Sequence, residues 1–117
     1  MPSNIEAEQP LEEFYALTEE QMVSMGDPAR IAWALTRIQG LPGTEALDSE
    51  QLTSLLKEVS LLPDKKDDPR FGDAMKELVR EKRVDREGFA GTGKTVHLSL
   101  NHAGHIFLEK AVEKAKA

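Results

Sequence analysis

Gly88, Gly93, Lys94 and Thr95 fill every fixed position of the phosphate-cradling pattern G-x-x-x-x-G-K-[ST]. In a working site of that kind, a buried strand runs into the glycines and a helix starts at the lysine. Backbone N–H groups and the helix N-terminus then hold the phosphates. The flanks of this pattern are of another kind. Residues 80–87 carry one aliphatic side chain, Val84, among seven charged ones, whereas a strand buried on both faces is nearly continuously apolar. Downstream, Val96, Leu98 and Leu100 alternate with Thr95, His97 and Ser99, the period of a half-buried strand and not of a helix. The same residues form a hairpin: a charged strand, a glycine-rich tip suited to positive φ, and an alternating return strand. Glycine, threonine and lysine are common at such tips, so nucleotide binding through 88–95 stands as a distant third reading.

Other reactive types are present without a matching constellation. His97, His102 and His105 could ligate a metal, two of them three residues apart. The chain has no cysteine, however, and the nearest acid beyond them is Glu109, so capping or neutral roles are expected and no metal. The acid pairs Glu12 and Glu13, Glu19 and Glu20, and Asp67 and Asp68 are solvated faces, with nothing to set an acid and a base across a cleft. No enzyme activity and no cofactor are expected.

The remaining chemistry is cationic and sits in one stretch. The net charge of −6 over 117 residues is poor support for nucleic-acid binding taken whole, but it is unevenly spread. Residues 1–64 hold three basic side chains against twelve acidic, residues 65–95 nine against seven, and residues 96–117 three against two. The acidity is an N-terminal property, and the stretch around the glycine-rich tip is the most basic.

The elements that must position these cations follow from apolar spacing. Length and composition allow one soluble domain with an ordinary core. No apolar run approaches a membrane span and the first residues hold no signal-peptide core, so a cytoplasmic protein without membrane contact is expected. Residues 1–9 are polar and read as a flexible N-terminus. Leu11, Phe14, Tyr15, Leu17, Met22 and Met25 predict a helix over 10–25, and Asp27 with Pro28 opens a second over 28–40 carrying Ile31, Ala32, Leu35 and Ile38. Leu52, Leu55, Leu56 and Val59 give a third over 48–59. A long polar turn over 60–68, with Lys65 and Lys66 beside Asp67 and Asp68, reads as a mobile loop. Phe71, Ala74, Met75, Leu78 and Val79 give a helix over 69–82. After the hairpin at 83–100, Asn101 is a natural N-cap for a last helix over 102–116. Trp33 lies off the main stripe of its helix and would pack on the first helix or on a partner chain. The fold class is mainly α with a small β-hairpin, α+β.

Three helices followed by a two-stranded wing resemble the winged helix-turn-helix layout over residues 28–112. Leu100, Asn101, Gly104 and Leu108 are similar to the Leu-Thr-x-x-Gly-x-x-x-Leu pattern with which bacterial regulators of the multiple-antibiotic-resistance and phenolic-acid repressor type leave the wing and enter a dimerisation helix. The resemblance implies a single winged-helix domain over 10–117, with extra terminal helices. It implies a non-enzymatic, dimeric transcriptional regulator whose partner is double-stranded DNA. Helix 69–82 would be the recognition helix and 83–100 the wing, with helices 10–25 and 102–116 building a homodimer. The DNA-binding residues it points to are Arg70, Lys76 and Arg80 on the helix, and Arg83, Arg86, Thr92 and Lys94 on the wing. The sequence departs from this pattern in its long turn and in Asp73 and Glu77, which repel phosphate. A winged-helix protein–protein interaction module is the alternative.

Overall fold

The computed structural model describes residues 11–39, 41–43, 47, 49–87 and 97–117, without the side chains of Leu11, Glu12, Ser49, Arg86, Glu87 and His97. The chain is mainly helical with a two-stranded antiparallel sheet. Helix α3 (Asp27–Gln39) is its centre. Ala29, Ile31, Ala32, Ala34, Leu35 and Ile38 are all buried, and a helix apolar around so much of its circumference must be enclosed. It is enclosed by α4 (Ser49–Ser60), α5 (Arg70–Arg80), α6 (His102–Lys116) and β2 (His97–Leu100). Burying Ile31, Leu35 and Ile38 contributes about 1.5–3 kcal/mol each before chain entropy is subtracted.

The single helix expected over 10–25 is two. Helix α1 (Leu11–Phe14) stops, the chain runs extended at Thr18, and α2 (Glu19–Ser24) begins anew. A capping box causes the restart. The Thr18 hydroxyl accepts the Gln21 N–H at 3.1 Å, and the Gln21 side-chain carbonyl accepts the Thr18 N–H at 2.9 Å. The apolar stripe continues through the break because Tyr15, Met22 and Met25 are buried in the common core. Both helices fold onto their own chain. Lys116 donates to the carbonyls of Glu13 and Phe14 at 3.2 and 2.7 Å, closing the end of α1, and Trp33 donates its indole N–H to the Tyr15 carbonyl at 2.6 Å.

The turn between α4 and α5 is folded, in place of the mobile loop the polar composition suggests. Lys65 and Asp68 exchange backbone hydrogen bonds at 3.1 and 3.0 Å, the Phe71 N–H reaches the Pro63 carbonyl at 3.0 Å, and Leu62 is buried. Arg30 completes it. Its buried guanidinium donates to the Ser60 carbonyl at 3.1 and 3.0 Å and to the Leu61 carbonyl at 3.0 Å, satisfying the orphan acceptors at the end of α4. Beyond α5, β1 (Val84–Glu87) pairs antiparallel with β2, with Val84 opposite Leu100 and Glu87 opposite His97. Val84 and Leu100 are buried, which anchors the hairpin's base in the core.

Candidate nucleic-acid interface

Helix α5 is sharply two-sided. Phe71, Ala74 and Leu78 recur at i, i+3 and i+7 and are buried, while Asp73, Lys76, Val79 and Arg80 are exposed on the opposite side. The same periodicity that buries one face therefore fixes which charges reach solvent.

The cations expected from the sequence fall into different environments. Arg70 is bound to Asp27, which opens α3: its Nε donates to Oδ2 at 2.9 Å and its Nη2 to Oδ1 at 2.7 Å. This fork holds the start of α5 against the start of α3. The Asp27 carboxyl lies below its ordinary range because of the hydrogen bond from Arg70, with the Arg70 and Arg30 charges adding to it against some desolvation. Asp27 also sits 3.9 Å from Arg30, so one carboxylate serves two guanidiniums. Lys76 forms no ion pair or hydrogen bond among the described residues and is exposed. Arg80 is 68% exposed, with Glu81 at 3.5 Å and Glu77 at 3.9 Å. Arg83 is less free: its guanidinium stacks on the Phe107 ring at 3.9 Å from the centroid, with Glu77 at 3.9 Å. The side chain of Arg86, and all of Thr92, Lys94 and the rest of the 88–95 pattern, lie outside the described residues.

The junction of α5 and the hairpin is stiff for identifiable reasons. The helix ends in a Schellman arrangement. The Arg83 N–H bonds the Leu78 carbonyl at 3.0 Å and the Lys82 N–H bonds the Val79 carbonyl at 3.1 Å, with Lys82 in the left-handed region at φ 57. The helix expected to run to residue 82 therefore stops at Arg80. Asn101 binds this turn to α6. Its Oδ1 accepts the Gly104 N–H at 2.9 Å as the N-cap, its Nδ2 donates to the Lys82 carbonyl at 2.6 Å, and its own N–H donates to the Arg83 carbonyl at 3.2 Å. Gly104 lets the helix come this close, because a Cβ there would overlap the Arg83 carbonyl oxygen and lie 2.9 Å from Leu100 Cδ2.

The N-cap role of Asn101 was legible three residues from its partner, but its bond to Lys82 and the capture of Arg70 by Asp27 were not. Those partners are 19 and 43 residues away. Among the described residues no group of three His, Cys, Asp or Glu side chains could hold a metal, and no helix is long and apolar enough to cross a membrane. No protein-family profile, curated protein or solved structure matches this chain, so the use of this surface follows from its own chemistry alone.

Proposed function

We propose that this chain is a non-enzymatic winged-helix protein that binds double-stranded DNA and acts as a dimeric transcriptional regulator. One observation carries the reading: α5 is clamped to α3 at its start and to the hairpin at its end, yet leaves Lys76 and Arg80 on an open outer face. A rigid helix with cations outward, followed by a hairpin beside it, suits a major-groove insertion flanked by phosphate contacts. In this arrangement Lys76 and Arg80 meet the duplex, and Arg86, Thr92 and Lys94 serve the phosphates or the adjacent minor groove, while Arg83, stacked on Phe107, holds the base of the hairpin against α6. Arg70, engaged by Asp27, sets the angle of α5. Dimerisation uses the terminal helices, where Val23 of α2 and Ile106 of α6 are 49% and 40% exposed. Two-fold symmetry then places two half-sites about one helical turn apart.

The test is a fluorescence-anisotropy titration of a random-sequence duplex at low and moderate salt, with wild type and a Lys76→Ala/Arg80→Ala variant. Micromolar binding that weakens steeply with salt is expected, and the variant should bind the duplex more weakly than wild type at each salt concentration. No binding at low salt would refute the reading in favour of a protein-interaction module. A feature of α4 favours that second reading: an open groove of about 580 Å³ lined by Leu47, Leu55, Glu50 and Glu58, suited to a basic amphipathic segment.

A further inference from the structure

We propose that Asp73 is a specificity-determining residue that reads cytosine, paired with Lys76 reading guanine; this rests on the DNA-binding reading above. The motivation is a contrast between the carboxylates around α5. Asp27 holds Arg70, Glu77 lies between Arg80 and Arg83, and Glu81 faces Arg80. Each of these has a guanidinium beside it. Asp73 has none: among the described residues its side chain forms no ion pair or hydrogen bond, although Lys76 lies three residues on and is itself unpaired. Both point outward on the line that continues to Arg80.

An acidic side chain in the first turn of a helix is favoured by the helix dipole, and that would account for Asp73 if it stood on a flank. On the ridge that faces the duplex it carries a cost, since a carboxylate there is repelled by the phosphates. A carboxylate earns such a place by accepting a hydrogen bond from an exposed amino group, and the cytosine N4 amino group is the partner whose base edge suits it in the major groove. Lysine complements guanine O6 and N7 by the same geometry. Asp73 and Lys76 are about 4.5 Å apart along the helix axis, close to the base step of about 3.4 Å. Their contacts therefore fall on adjacent or next-but-one base pairs. The exposed Val79, 49% accessible on the next turn, is placed to meet a thymine methyl group.

The experiment is selection of bound duplexes from a randomised pool at low salt, followed by sequencing, with wild type, Asp73→Asn, Asp73→Ala and, as control, Glu81→Gln. Thermal unfolding of each variant confirms the fold, which an exposed side chain leaves intact. Wild type should enrich a cytosine next to or one removed from a guanine, with about tenfold preference at the cytosine. Asp73→Asn should move that position to adenine, which an amide pairs bidentately, and should bind random duplex more tightly because a negative charge is gone. Asp73→Ala should erase the preference there alone, and Glu81→Gln should leave the motif unchanged. An unchanged motif in both Asp73 variants overturns the inference, as does wild-type binding without any base preference, which would leave DNA binding itself standing. Failure of wild type to bind any duplex would remove both.

Discussion

Replacing Gly104 by alanine tests how tightly the hairpin and α6 are joined. In a helix interior the exchange alone should stabilise by about 1 kcal/mol. Here the new methyl would overlap the Arg83 carbonyl oxygen, and would lie 3.1 Å from the carbonyl carbon behind it and 2.9 Å from Leu100 Cδ2. The two backbones must separate, since neither the carbonyl nor the capped helix start can turn aside locally. Separation breaks the hydrogen bond from the Asn101 N–H to the Arg83 carbonyl and strains the one from its amide to Lys82, at about 1 kcal/mol each. It also disturbs the packing of the buried Val84 and Leu100, adding about 1–3 kcal/mol. The net expectation is a loss of about 2–4 kcal/mol, or a melting temperature lower by about 10 °C or more. Urea unfolding followed by the fluorescence of Trp33, the single tryptophan, measures it. Gly72→Ala in α5 is the matched control: its Cβ would meet only Asp64 Oδ1 at an ordinary 3.6 Å, so it should stabilise by up to about 1 kcal/mol. Equal effects at the two glycines, or a Gly104→Ala protein as stable as wild type, would refute the reasoning.

Three further outcomes follow from other contacts. The Asp27 carboxyl is depressed in the fold, chiefly by Arg70, so its contribution is present above the ordinary carboxylate value of about 3.9 and is lost as pH falls below it. Asp27→Asn should therefore be less stable than wild type at pH 7, with the gap closing in acid, as read by thermal unfolding against pH. Leu61 is half exposed at φ 57, and Leu61→Gly should raise stability by about 0.5–1 kcal/mol in urea titration by relieving a left-handed residue. If the terminal helices form the dimer, Val23→Glu/Ile106→Glu should give a monomer by light scattering at concentrations where wild type is dimeric, without loss of fold.

Local signals carry the helices, and one of them, the Thr18 and Gln21 capping box, marks a break inside a continuous apolar stripe. The stripes of α3, α4, α5 and α6 depend on side chains three and four residues apart, so their existence and inner faces were legible, as was the Asn101 cap. Thr18 and Gln21 spelled out the restart between α1 and α2, but the apolar stripe of Tyr15, Met22 and Met25 runs across the break, because both short helices bury it in one core. The turn over 60–68 looked mobile from its charges, since what orders it is Arg30, reaching from α3 to the carbonyls of Ser60 and Leu61.

The sequence by itself determined the helical faces and the placing of Lys76 and Arg80 outward on α5, because each depends on backbone periodicity and on partners within one turn. Tertiary structure alone decided which cations stay available. Arg70 and Arg80 look equivalent in the chain, yet packing α3 against α5 brings Asp27 to Arg70, and docking α6 against the hairpin lays Phe107 under Arg83. Such pairings depend on how whole helices meet, and a guanidinium takes whichever carboxylate or ring that meeting brings within reach.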